Sequence, residues 1–155
     1  MVIEGEIAQD FELPSNAGEL IRLSSFRNKS NVVLCFYPKN HMLGCPSKKT
    51  FEQAKSVFDN YQRIKGLHAE VLGISVDTVE SHKKFVEEYG LPYRLLSDVD
   101  KKVCKEYAGL NMYGLAKRTT FIIDKQGRIE KILRGINPKT LGDEIVAVLS
   151  EIRTL

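Results

Sequence analysis

A chain of 155 residues, 43% hydrophobic and 28% charged, has the composition of one folded domain (residues 1–155), able to bury roughly 70% of its unfolded surface. Lys+Arg 23 against Asp+Glu 20 leaves a net charge of only +3, with the basic residues dispersed, which argues against a nucleic-acid partner. Met1–Glu6 has neither a basic start nor a long apolar stretch, so the sequence predicts no signal peptide, no membrane span and a cytoplasmic location. Three cysteines without a close pair exclude a disulfide framework and a Cys-x-x-Cys reductase.

Phe11-Glu12-Leu13 and Ile21-Arg22-Leu23 alternate around the turn-rich Pro14–Gly18, predicting a short N-terminal hairpin. Val32–Tyr37 is an unbroken apolar run, as in a strand covered on both faces. From Ser47 to about Lys65, Phe51, Ala54, Phe58, Tyr61 and Ile64 recur at helical spacing, so they are expected to form the buried stripe of one long helix. Pro46 suits its first turn.

Val71–Val76 reads as a second buried strand. Ser81–Tyr89 reads as a helix with Phe85, Val86 and Tyr89 on one side, stopped by Gly90 and Pro92. Tyr93–Leu96 predicts a short strand, and Asp98 a cap for a helix running to about Ala108. Thr119–Asp124 and Arg128–Leu133 flank Lys125-Gln126-Gly127 as a β-hairpin. Pro138 opens a last helix with Leu141, Ile145, Leu149 and Ile152 inward. This order implies an α/β sandwich with a mixed sheet, its first two strands parallel and its last hairpin antiparallel.

Cys45 stands where an apolar strand has broken at Pro38 and a helical pattern begins. A strand-to-helix junction turns unpaired N–H groups and the positive end of a helix dipole toward its occupant, favouring a thiolate. Cys35, inside the apolar strand, is expected to be buried and inert. Cys104 has basic neighbours on a predicted exposed helix, which makes it either filler or a second reactive thiol. His41, four residues before Cys45, forms with it only half of a metal site, so no metal or cofactor is expected. Nothing in the sequence joins His68 or His82 to Cys45. The paired lysines 48–49, 83–84 and 101–102 read as solvated helix faces.

Gly5–Leu13, Val32–Lys39, Gly44-Cys45 and Arg118–Asp124 together resemble the peroxiredoxins, in particular the bacterioferritin-comigratory-protein branch. The resemblance spans nearly the whole chain. It implies a thioredoxin-like three-layer α/β sandwich with a mixed central sheet and an N-terminal β-hairpin extension. It also implies that Cys45 attacks peroxide from the first turn of a helix, with Arg118 stabilising charge and Pro38, Met42 and Gly44 lining the pocket.

That chemistry needs more than an ionised sulfur. Lowering a cysteine pKa from ~8.5 to ~6 raises the thiolate fraction at neutral pH only about 30-fold, and positioned donors must supply the rest. Met42 stands where the family carries a Thr or Ser hydroxyl, and losing one donor at a reacting centre costs about 10²–10³ in rate. The readings are therefore a slow peroxidase, or a weakened relative serving as a redox sensor or binding scaffold. Thr50 stands where many members of the branch carry a resolving cysteine. A one-cysteine cycle completed by a thioredoxin-like or low-molecular-weight thiol is thus expected, with Cys104 as the internal alternative and a monomer rather than a dimer.

Overall fold

In the computed structural model the chain opens with two short antiparallel strands, β1 (Glu12–Pro14) and β2 (Leu20–Arg22). The structure describes residues 2–42 and 45–152, with Met42, Cys45 and Pro46 described by their backbone alone. After a single 3-10 turn comes β3 (Asn31–Phe36), whose six residues are all buried. A two-residue hairpin follows, β4 (His41–Met42) and β5 (Cys45–Pro46). Then come α1 (Lys48–Asp59), α2 (Tyr61–Gly66), β6 (Ala69–Ser75), α3 (Val79–Tyr89), β7 (Arg94–Ser97) and α4 (Lys102–Tyr107). The chain ends with β8 (Thr119–Ile123), β9 (Ile129–Arg134) and α5 (Leu141–Glu151).

Five strands form one sheet in the order β7-β6-β3-β8-β9. β3, β6 and β7 are parallel, β8 runs antiparallel to its neighbours β3 and β9, and β9 therefore points the same way as β3. The strand pattern predicted this mixed sheet, and the burial of β3 on both sides follows from its central place. One face is covered by the N-terminal segment and α4 through Phe11, Leu13, Tyr107 and Ala108. The other is covered by α1, α2, α3 and α5 through Val57, Ile64, Phe85 and Ile145. The N-terminal hairpin guards the β7 edge, where Ser15 bridges Leu96, Asn16 N–H donates to Leu95 O, and Leu95 N–H donates to the Asn16 side-chain oxygen. An unpaired edge would otherwise invite pairing with another chain.

Two expectations for the first helix change. Asn60 interrupts it, giving α1 and α2 in place of one helix. Phe51 and Phe58 are also 39% and 45% exposed, and the buried face of α1 carries Thr50, Gln53, Ala54, Ser56 and Val57. At the C-terminal end of α1 the reason lies in α5, which packs so closely that a small polar residue must face it, while Thr50 and Gln53 turn inward to meet Arg118. Gly142 N–H donates to Ser56 Oγ at 2.8 Å. A Cβ at Gly142 would overlap the Ser56 backbone oxygen and crowd the Asn60 amide.

Gly142→Ala should therefore reverse the usual rule. Alanine exceeds glycine by about 1 kcal/mol in a helix interior, yet here it should lower stability by about 1–3 kcal/mol. Denaturant unfolding of the two proteins measures the sign directly.

Candidate active site

After β3 the chain leaves the sheet through Tyr37, Pro38, Lys39 and Asn40, with Pro38 half-buried at the bend. A proline here has no N–H to leave unpaired as the strand ends. The hairpin follows, with Met42 directly opposite Cys45 and His41 opposite Pro46. Ser47 N–H donates to Asn40 O at 3.3 Å, closing its base. Leu43 and Gly44, and with them the pocket role expected of Gly44, lie outside the described residues.

Ser47 is the N-cap of α1, its side chain accepting from Thr50 N–H at 3.4 Å. Cys45 therefore stands two residues before the cap, in a short strand, and Pro46 pairs across the hairpin instead of entering the first turn. The first helical turn holds no acidic residue and begins with exposed Lys48 and Lys49. Positive side chains at an N-terminus oppose the helix dipole by roughly 0.3–1 kcal/mol. The same charges favour an anion placed just before the helix.

Arg118 immediately precedes β8, and its half-buried side chain spans from the sheet to α1. One guanidinium nitrogen donates to Thr50 Oγ1 at 2.8 Å and lies 3.4 Å from Ser47 Oγ, and the other donates to Gln53 Oε1 at 3.3 Å. Ser47, Thr50 and Gln53 are three residues apart, so one face of the helix presents all three acceptors. Burial lowers the Arg118 pKa from its ordinary value, partly opposed by Tyr37. An arginine keeps its charge regardless.

On the other side, a buried polar network holds the strand end. Tyr37 OH donates to Asn40 Oδ1 at 2.7 Å, and Asn40 N–H donates to Asp77 Oδ2 at 3.0 Å. The Asn40 amide reaches Ser81 Oγ at 3.1 Å and His82 Nδ1 at 3.0 Å. His82 Nε2 lies 2.9 Å from Leu96 O, so Nε2 carries the proton and Nδ1 accepts. Ser75 Oγ donates to Asp77 Oδ2 at 2.6 Å. Asn40 and His82 are both 0% exposed.

Reading the residues alone left His82 unconnected to the site; the fold connects it through Asn40. A signal was present, since His82 lies three residues before Phe85 on the stripe of α3 that faces inward. Asn40, Ser47 and Gln53 carried no comparable signal, because small polar residues at loop and helix starts are ordinary.

The other candidates separate by burial. Cys35 lies in the core, where burial pushes its thiol up to about 12. Cys104 was expected on an exposed face, but it is 0% exposed and packs in the core beneath α4. Its N–H donates to the Asp98 carboxylate at 2.6 Å, and burial together with that carboxylate pushes its thiol well up. Lys101 holds the N-cap position of α4, while Asp98, expected as its cap, accepts this N–H from the first turn. Half-buried His41 packs edge-on to Phe85, with Glu88 3.9 Å from its Nε2. Among the described residues no group of three or more His, Cys, Asp or Glu is placed to hold a metal.

A sequence profile of the AhpC/TSA family matches residues 5–132. The chain belongs to this family, the peroxiredoxins. It is 34% identical over 165 residues to "Peroxiredoxin Bcp" of Bacillus subtilis, covering 97% of this chain and 98% of that one. It is also 39% identical over 133 residues to "Peroxiredoxin Q, chloroplastic" of Triticum aestivum, spanning 84% of this chain but 58% of the wheat protein. The crystal structure of "Peroxidoxin BcpB" from Mycobacterium tuberculosis superposes with a TM-score of 0.86 at 30% identity, covering 97% of this chain and 98% of that one. The peroxiredoxin is a thiol peroxidase with a thioredoxin-like fold, as the resemblance implied. Among its described residues no helix is long and apolar enough to cross a membrane.

Proposed function

We propose that this peroxiredoxin reduces hydrogen peroxide or alkyl hydroperoxides through Cys45 in a one-cysteine cycle. The observation that carries the reading is the docking of Arg118 on the start of α1, whose N-cap Ser47 lies two residues beyond Cys45 in the chain. A cation and a helix N-terminus then converge on one short segment. The Cys45 thiolate attacks one peroxide oxygen, the S–O bond forms as the O–O bond breaks, and the departing oxygen takes a proton. Sulfur is oxidised to a sulfenic acid and the peroxide is reduced to water or an alcohol. Arg118 stabilises the thiolate before attack and the leaving oxygen during it.

An external thiol completes the cycle. It attacks the sulfenic sulfur, expelling water, and a second thiol releases Cys45 from the mixed disulfide. Cys35 and Cys104 are both buried, and a resolving role for Cys104 would require α4 to leave the core. A thioredoxin-like or low-molecular-weight thiol is the reductant this reading favours. The backbone pairing of Met42 opposite Cys45 supports the second reading, a catalytically weakened protein acting as a sensor or scaffold. A thioether there donates nothing to a peroxide or thiolate.

Single-turnover oxidation of the reduced protein, followed by intact mass, separates the two. Wild type should gain oxygen far faster than a free thiol, and Cys45→Ser should abolish that gain. Met42→Thr should accelerate it by up to about 10². Wild-type oxidation no faster than that of a free thiol would sink the peroxidase reading and leave the scaffold reading.

A further inference from the structure

We propose that Thr50 is a positioning residue for peroxide reduction, fixing the Arg118 guanidinium to the strand end that leads into the Cys45 hairpin. The inference rests on the peroxidase reading above. Thr50 is 3% exposed and uses its hydroxyl twice. It accepts from Arg118 at 2.8 Å and donates to Lys39 O at 3.1 Å. One small side chain thus links the start of β8, the first turn of α1 and the segment between Pro38 and Asn40. These three pieces of chain enter the site from distant points in the sequence.

The acceptors around Arg118 carry a second consequence. Ser47, Thr50 and Gln53 are all neutral, and among the described residues Arg118 forms no ion pair. A carboxylate brace would hold the guanidinium equally well but would neutralise its field and compete with an anionic sulfur for its donors. Neutral acceptors orient the fork and leave its charge for the thiolate and the departing oxygen. The remaining N–H donors stay free for them, since five are available on the group.

The fork needs a fixed orientation because its donors are planar and directional. Ser47 and Gln53 hold it at 3.4 and 3.3 Å, longer contacts than the one from Thr50. Gln53 offers its acceptor oxygen from the end of a flexible side chain. Thr50 is β-branched and stiff at χ1, so its hydroxyl is the rigid point of the brace.

The test compares Thr50→Val, which keeps the shape and removes the hydroxyl, with Thr50→Ser, which keeps the hydroxyl. Cys45 oxidation by hydrogen peroxide is followed in single turnover, and the Cys45 pKa is read from the pH profile of its alkylation. Thr50→Val should slow oxidation about 10- to 100-fold and shift the alkylation profile to higher pH, while Thr50→Ser stays near wild type. In an Arg118→Ala background, Thr50→Val should cost nothing further, because the residue acts through Arg118.

Fast wild-type oxidation with unchanged rate and profile in Thr50→Val overturns the brace. Equal losses in the presence and absence of Arg118 also overturn it. Wild-type oxidation no faster than that of a free thiol overturns the peroxidase reading itself, and the brace with it. Thr50→Ala replaces Thr50→Val if the valine variant does not fold, with the same expected outcomes.

Discussion

Arg118→Ala is expected to slow oxidation of Cys45 by peroxide about 10²–10³-fold. Two effects combine. The cation beside the α1 N-terminus favours the charged form of a nearby thiol, so its removal raises the Cys45 pKa and lowers the thiolate fraction at neutral pH. The preorganised donors for the departing oxygen disappear as well, and this loss persists when the pH is raised until the thiol is fully ionised. Rate against pH separates the two, since ionisation alone is recoverable at high pH and donor loss is not. Arg118→Lys should recover part of the ionisation effect and little of the donor effect, because an ammonium lacks the planar fork. A pH-independent rate equal to wild type in Arg118→Ala would remove Arg118 from the mechanism.

His82→Leu is expected to destabilise the fold by about 2–4 kcal/mol, although leucine is apolar and close in size to the imidazole. The cost comes from what is left behind: one Asn40 amide hydrogen and Leu96 O lose their partners in a site closed to water, each worth about 1–3 kcal/mol. The substitution should also change how stability depends on pH. Burial lowers the His82 pKa below its ordinary 6.5, against the opposing influence of Asp77 and of the bond to Leu96 O. The other polar groups facing the ring are Tyr37, Asn40 and Ser75.

The sign follows from which state takes up the proton. Above 6.5 the histidine is neutral in both the folded and unfolded chain, and the network contributes fully. As pH falls through 6.5, the unfolded chain gains a proton that folded His82 resists, so stability declines until the lowered folded value is reached. Protonation at Nδ1 would also turn the acceptor for Asn40 into a donor, loosening the segment that leads to Cys45. Denaturant unfolding between about pH 5 and pH 8 should show this decline in wild type and lack its His82 component in His82→Leu. Parallel pH curves for the two proteins would show that His82 titrates normally.

The two substitutions act on opposite sides of the same segment. Arg118 and Thr50 hold the chain from α1 and β8, whereas Asn40 and His82 hold it from β6, α3 and β7. The Pro38–Asn40 turn is thus clamped between two sets of buried polar contacts. The Cys45 hairpin is anchored at its base by the Ser47 to Asn40 bond.

Local patterns determined much of this protein. Apolar runs and helical periodicity predicted β3, β6, α3, the β8–β9 hairpin and α5, because burial on two faces or one leaves a direct trace in residue order. Gly90, in the left-handed conformation at φ 60, ends α3 where the glycine and the following proline predicted. Cys45 and Arg118 stood out as candidates because a whole-chain resemblance supplied their context.

Tertiary structure decided the rest. The inward face of α1 was misread because it meets an apolar sheet, a closely packed α5 and Arg118, so Phe51 and Phe58 turn outward while Thr50 and Gln53 turn in. Cys104 was misread because basic neighbours on a six-residue helix say little about which way the intervening side chain points. The contacts of Arg118 with Thr50, and of Asn40 with His82, join residues 68 and 42 positions apart. Hydrogen bonds of that range arise only when strands and helices are brought together, and no periodicity along the chain records them.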